Sequence, residues 1–247
     1  MTMAYTGAID TTWRARVTKP LTGKALEAIL QESNIIALTG HIGVRLVVLE
    51  NADYRLLVLN GSVQSVQDKR DPARIVLAHQ EPLLQALAAV PQQGTVLELG
   101  LGGGSAMNHA QVHFPHLNWL CLEQHAAVVS LYFDHFCPDF LPVQQKIRTA
   151  SALSWFRQHP NQQFNLVLCD LYDSIDMPLL EACAQAVLPG GQLNINWLPH
   201  MQQDALGDET LDSCVALAGW VRTTHPIAGF RNRVYQLTRP LATASGS

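Results

Sequence analysis

Charge is scarce in this chain of 247 residues. Only 15% of its residues are Asp, Glu, Lys or Arg, while 48% are hydrophobic. Disordered chains show the opposite balance, so a folded chain is expected. No block of Lys or Arg gathers its 16 basic residues, and the net charge is −4. That excludes the electrostatic footprint of a nucleic-acid binder. Long apolar runs are missing as well. Gly40-His41, Pro91-Gln92-Gln93-Gly94 and Pro189-Gly190-Gly191 cut the richest stretches below the length of a membrane span. Met1 to Asp10 lacks a basic segment followed by an apolar one, so no signal peptide is expected. Neither CxxC nor HExxH occurs. The five cysteines (Cys121, Cys137, Cys169, Cys183, Cys214) are odd in number and widely spaced. They read as small core residues in a reducing, cytoplasmic setting. His109, His113 and His116 stand at near-helical spacing, but no cysteine or carboxylate joins them, so no metal site is expected.

The remaining pattern divides the chain in three. Residues 1–72 hold an irregular N-terminal extension, a short helix over 24–32 and a small antiparallel β unit. Its strands are Val44–Glu50, Tyr54–Leu59 and Ser62–Val66. Asn51-Ala52-Asp53 and Asn60-Gly61 supply the turns. Residues 73–240 alternate apolar strands with helices, the signature of a mostly parallel sheet covered on both faces. The strands are expected at Thr95–Leu99, Asn118–Leu122, Phe164–Cys169 and Gly191–Asn196. A helix is expected over Ile75–Val90, and others near 106–113, 126–136, 152–159 and 178–187. Val221–Thr224 and Arg233–Thr238 close the sheet as an antiparallel hairpin. Residues 242–247 are small and polar, and a disordered tail is expected over 241–247. The fold class is therefore α/β, a mostly parallel sheet with a C-terminal antiparallel hairpin, preceded by a small antiparallel β domain.

The most informative stretch is Thr95 to Ser105, Thr-Val-Leu-Glu-Leu-Gly-Leu-Gly-Gly-Gly-Ser. A buried strand ends in a glycine-rich turn and a helix follows. Gly100, Gly102 and Gly104 permit positive φ and let a ligand lie against bare backbone. The next strand ends in Glu123, about 20 residues on, where a carboxylate grips the ribose hydroxyls of a nucleoside. NAD and adenosyl-sulfonium compounds both use this geometry. Glu98, two residues before the first glycine, favours the second. So do the N-terminal extension before the unit and Leu188-Pro189-Gly190-Gly191 before the fifth strand. Asp170-Leu171-Tyr172-Asp173 follows the strand Phe164–Cys169, at the edge where open α/β sheets bind ligands. A carboxylate there steadies a sulfonium or takes an amine proton.

With these residues the chain resembles the spermidine synthase (aminopropyltransferase) family of the class I methyltransferase-like fold, over roughly residues 44–200. The run 54–79 is similar to the family's hairpin and following helix, with Asn60-Gly61 in place of Asp-Gly. The resemblance implies that Gln64 contacts the nucleoside, Glu123 holds the ribose, Asp170 is the catalytic aspartate and Asp173 the second aspartate. It implies that the large sheet is Rossmann-like and methyltransferase-type, and it implies a co-substrate, S-adenosylmethionine or its decarboxylated form, with no metal. It also implies a homodimer and a place in polyamine biosynthesis. Three departures bear on the last. Ala73-Arg74-Ile75 stands where the family has Tyr-His/Gln-Glu. Gly103 stands where it has the Asp that holds an ammonium, and Ser151-Ala152 where an Asp-Gly pair meets the adenine. The nucleoside site is thus expected to be kept and the polyamine site degraded, with Arg74 and Tyr172 on the acceptor side. Arg74 or the loop amides would accept the carboxylate of S-adenosylmethionine itself. The expected function is transfer of an alkyl group to a small-molecule acceptor. The alternatives are a methyltransferase with an unrelated acceptor, a catalytically silent nucleoside-binding relative, and more remotely an NAD-dependent oxidoreductase. Trp155-Phe156 reads as core or as a wall of the adenine pocket. Tyr132, His135 and Phe136 read as packing, and His200 as a candidate base.

Overall fold

The computed structural model describes residues 20–41, 43–139, 146–171, 175–198 and 206–241. A helix, α1 (Gly23–Gln31), opens the described chain, with the Thr22 hydroxyl accepting from Ala25 N at 3.2 Å as its cap. Four strands follow in a meander: β1 (Asn34–His41), β2 (Val44–Glu50), β3 (Tyr54–Leu59) and β4 (Ser62–Asp68). Asn60 and Gly61 both adopt positive φ (49° and 87°), which the tight β3–β4 hairpin requires. The Asn60 side chain locks that turn, accepting from Arg45 N and donating to the Gly43 carbonyl.

Residues 73–79 are not helical. Helix α2 covers only Gln80–Leu84 and passes into a 3-10 turn over Gln85–Ala89. The expected helix over 75–90 is therefore shortened. Ile75, Val76 and Leu77 are all buried, and Val76 O accepts from Leu21 N, so this segment is a strap held between layers. Then come β5 (Thr95–Leu99), α3 (Ser105–His113), β6 (Asn118–Glu123), α4 (Ala126–Leu131) with a π turn (Tyr132–Phe136), β7 (Ile147–Thr149), α5 (Ala152–Gln158), β8 (Phe164–Cys169), α6 (Met177–Gln185), β9 (Val187–Trp197), α7 (Leu206–Ser213), β10 (Val221–Pro226) and β11 (Arg233–Thr238).

The large sheet has the order β10-β11-β9-β8-β5-β6-β7. Only β11 runs against the rest, pairing antiparallel with both β9 and β10. The chain moves outward from β5 to β7, then crosses back to β8 on the other side of β5. Loops diverge at that switch point and open a crevice at the strands' carboxyl ends. One buried cluster joins the small sheet to one face of the large one, through Leu46, Val48 and Leu57 against Leu83, Val96 and Tyr132. A second cluster lies under α5 and α6 on the opposite face and contains Trp155 and Phe156. A third lies beneath α1.

Four cysteines are buried and Cys137 is half-buried, none in a disulfide. Among the described residues no helix is long and apolar enough to cross a membrane, and no group of three metal-ligating side chains forms. Of the histidine trio, His109 is tied by Nδ1 to the Ala73 carbonyl at 2.9 Å, and its ring lies 4.5 Å from that of His113.

Candidate functional site

A cavity of about 560 Å³ lies between the small sheet and the carboxyl ends of β5, β6 and β8. Pockets that hold small organic ligands run from about 300 to 1,000 Å³. Its apolar walls include Leu57, Leu59, Leu101 and Val128. Of the residues singled out from sequence, Gln64, Glu98, Gly100, Gly102, Glu123 and Asp170 line it together.

The glycine loop has positive φ at Gly100 (92°), Gly102 (51°) and Gly104 (69°). The expected reason was close approach of a ligand; the structure adds close approach of the protein itself. A Cβ at Gly100 would strike the Asp170 carbonyl oxygen, and one at Gly102 would lie 2.7 Å from Ser65 Oγ. At Gly104 the space is taken by the Tyr132 ring, so this glycine packs under the loop and is not among the cavity-lining residues. Gly103 N donates to Ser65 Oγ at 2.7 Å, which ties the loop to β4.

Glu123 closes β6 and holds the loop from the other side. Its Oε2 accepts from Leu101 N at 3.1 Å and its Oε1 from His125 N at 2.9 Å. Each carboxylate oxygen keeps a further lone pair for a hydroxyl. Glu98 is only 3% exposed. Trp119 Nε1 donates to its Oε2 at 2.8 Å. Burial pushes this carboxyl up to about 8, against hydrogen bonds from Trp119 and Cys121 and with repulsion from Asp170 and Glu123 adding to it. Glu98 therefore holds its proton to well above the ordinary carboxylate range.

Asp170 follows β8 directly, and its N donates to the Leu99 carbonyl at 3.0 Å. Its Oδ1 accepts from Asn196 Nδ2 at 2.7 Å, and Oδ2 lies 3.6 Å from His79 Nε2. Burial pushes the carboxyl up, but the His79 ring and the Asn196 amide outweigh it and hold it below the ordinary aspartate range. Asn232 Nδ2 donates in turn to Asn196 Oδ1 at 3.0 Å. The string Asn232–Asn196–Asp170–His79 thus runs along the cavity wall.

Other expected site residues lie elsewhere. Arg74, expected on the acceptor side, turns instead to Asp68, with Nη1 2.7 Å from Oδ2, and does not line the cavity. The Asp71 turn that carries it directs Arg74 N to the Asp71 carbonyl. Ala73 and Ile75 are core residues. A Cβ at Gly103 would lie 2.9 Å from Ser65 Cβ and 3.0 Å from Phe136 Cδ1, so no Asp fits there. Ser151 and Ala152 begin α5 and are not among the residues lining the cavity. Trp155 and Phe156 are core, with Trp155 stacked on His159 at 4.4 Å. Tyr172, Asp173 and His200 lie outside the described residues.

The sequence reading missed His79, Gln80, Asn196 and Asn232, all of which line the cavity. Asn196 had a signal: it alternates with apolar residues on a buried strand and falls at its carboxyl end. His79 had none, since only the fold brings the strap beside β8.

No protein-family profile matches the chain, nor does any curated protein sequence. Solved structures do. A probable spermidine synthase from Corynebacterium glutamicum is 14% identical, with TM-score 0.65 over 87% of this chain and 84% of that one. A spermidine synthase in complex with the transition-state analogue AdoDATO is 14% identical, with TM-score 0.62 over 83% and 71%. Human methyltransferase-like protein 13 in complex with SAH is 17% identical, with TM-score 0.54 over 69% and 85%. The chain has a spermidine-synthase-like, class I methyltransferase-like fold: a mostly parallel seven-stranded sheet with a small antiparallel sheet beside it.

Proposed function

We propose that this chain binds an adenosyl-sulfonium donor and alkylates a small-molecule acceptor. One observation carries the reading. The Gly100–Gly102 backbone and the Glu123 carboxylate stand at neighbouring strand ends on one cavity, with Asp170 beyond the third. The complexes with AdoDATO and SAH formed by proteins of the same fold support an adenosyl ligand.

The donor supplies a carbon made electrophilic by a positively charged sulfur, which departs as a neutral thioether. This chain's residues bind and orient around it. Glu123 offers its remaining lone pairs to a ribose diol. Gln64, whose Nε2 donates to the Ser62 carbonyl at 3.3 Å, borders the same space and offers an amide to the purine or ribose. Asp170, kept anionic by His79 and Asn196, faces the region of positive charge and accepts a hydrogen bond from the nucleophile. Displacement of this kind depends chiefly on alignment, which a rigid cavity supplies.

The acceptor is not a polyamine in this reading. A dication needs anionic and aromatic partners. Here Arg74 is bound to Asp68, Ala73 and Ile75 are in the core, and position 103 has no room for a carboxylate. The same reading places the protein in the cytoplasm as a homodimer, acting without a metal.

Thermal-shift titration with S-adenosylmethionine, its decarboxylated form, S-adenosylhomocysteine and methylthioadenosine tests the binding. Incubation with a metabolite extract and each donor then separates the outcomes. Accumulation of S-adenosylhomocysteine shows methyl transfer, and methylthioadenosine shows aminopropyl transfer. Binding without either product leaves a nucleoside-binding protein without turnover.

A further inference from the structure

Charge in the cavity is sorted along the sheet. Its carboxyl groups, Glu123, Glu98 and Asp170, stand toward the carboxyl ends of β6, β5 and β8. Among the described residues that line it, the only Lys or Arg is Arg231, on the loop between β10 and β11. Strands β9 and β11 come next after β8 on the side away from β5, and Arg233 opens β11 opposite Trp197 at the end of β9. The loop is closed on itself, with Phe230 N donating to the Ile227 carbonyl and Ile227 N to the Asn232 carbonyl, both at 3.1 Å. Asn232 also ties it to β9 through Asn196. Arg231 is exposed, at the rim, between two further lining residues. An independent observation concerns Gln80. Its helix α2 lies across β9 and β11, where Asn194 Nδ2 donates to the Leu83 carbonyl at 2.8 Å and Gln236 Nε2 to the Pro82 carbonyl at 2.6 Å. Gln80 is 5% exposed and lines the cavity, and its Oε1 has no hydrogen-bond partner among the described residues. A buried acceptor is costly to leave unmatched, so a ligand N–H or O–H fits there.

We propose that the part of the cavity beyond Asp170 is the acceptor subsite and that the acceptor is a small organic acid. Its carboxylate pairs with Arg231, its apolar body lies against Leu198 and Phe230, and an N–H or O–H group donates to Gln80 Oε1. The inference rests on the functional reading above and adds the substrate class to it. The strand order supplies a ruler. Neighbouring strands lie about 4.8 Å apart, so Asp170 stands two spacings, roughly 10 Å, from Glu123, and the head of β11 four, roughly 19 Å. A donor whose ribose rests on Glu123 extends about 9 Å from its diol to the end of its tail, at about 3.5 Å per three bonds. It covers β6, β5 and β8 and leaves the region over β9 and β11 to the second substrate. Charge then orients that substrate. The Asp170 carboxylate repels an acid group, so the acid end turns to the Arg231 guanidinium and the nucleophile to Asp170. A decarboxylated analogue of the same shape loses the Arg231 pair.

Isothermal titration calorimetry of the full chain saturated with S-adenosylhomocysteine tests this. The probes are pairs that differ by a carboxylate: ornithine and putrescine, tyrosine and tyramine, 4-hydroxyphenylacetate and 4-methylphenol. The expected result is that the acid of at least one pair binds about tenfold more tightly than its partner, and less so as salt is added. Arg231→Gln should erase that preference while S-adenosylhomocysteine binds as before, and Arg231→Lys should restore part of it. Equal affinity within every pair, or a preference that survives Arg231→Gln, overturns the proposal. So does failure of every probe to bind a chain that holds S-adenosylhomocysteine. A loss of S-adenosylhomocysteine affinity in Arg231→Gln assigns Arg231 to the donor's own carboxylate and overturns it as well. In each of these cases the functional reading stands. Failure of the unaltered chain to bind S-adenosylhomocysteine overturns that reading and this inference with it.

Discussion

The Tyr132 ring fills the space that a side chain on Gly104 would need, and its hydroxyl donates to Asn108 Oδ1 at 2.8 Å. Position 104 is thus constrained twice, by a φ of 69° and by a buried ring. Gly104→Ala should cost on the order of 3 kcal/mol or more, the sum of left-handed strain and overpacking. Gly43 is the control. Its φ is 82° but a Cβ there meets nothing within 4 Å, so Gly43→Ala should cost about 1 kcal/mol. Urea denaturation of the two variants measures the difference.

Glu98 should make stability fall as pH rises across the neutral range. Its folded-state value of about 8 lies above the ordinary 4.5, so the native state holds the proton more tightly than the unfolded chain. The stabilisation is complete below about 4.5 and is lost as pH passes through 8, on the order of a few kcal/mol. Glu98→Gln should flatten that slope in denaturant titrations run at several pH values.

His109 works in the opposite direction. Burial lowers its value to about 4 from 6.5, against the raising effect of its bond to Ala73 O. The native state therefore resists protonation, and its contribution is present above about 6.5 and lost as pH falls through 4. His109→Gln should shift the midpoint of acid unfolding to lower pH, by an amount equivalent to about 2 kcal/mol. Circular dichroism across an acid titration reads the shift.

Removing the carboxylate that braces the glycine loop should damage fold and binding together. Glu123→Ala leaves Leu101 N and His125 N without their acceptor, at a cost of about 2 kcal/mol. It should also abolish the thermal shift produced by S-adenosylhomocysteine. Glu123→Gln retains one accepting oxygen and should give an intermediate result in the same assay.

The strands Thr95–Leu99, Phe164–Cys169 and Arg233–Thr238 were legible to the residue, because apolar runs ended by glycine, aspartate or proline leave little choice of boundary. The edge strand β1 was not delimited, since Ile35 and Leu38 are both 65% exposed and no alternation marks a buried face. The three-residue β7 is too short to carry a pattern. The segment 75–77 looked helical because consecutive buried apolar residues mimic helical periodicity when both sides of a strap are covered. In the cavity, Glu123 and Asp170 could be placed because a carboxylate at the tip of a buried strand has one place to go. Arg74 could not, because its partner Asp68 is a matter of loop geometry. The contact of His79 with Asp170 exists only after the strap has packed beside the sheet.

The distribution of thiols gives the protein a built-in gauge of its own integrity. The Cys169 hydrogen bond and then burial hold the Cys183 thiol well above its ordinary value, burial does the same for Cys121, and even half-buried Cys137 is raised. A disulfide reagent at neutral pH should therefore leave intact molecules nearly unlabelled and mark all five positions on any molecule that opens globally. The labelling rate then counts excursions out of the native state, without an added probe.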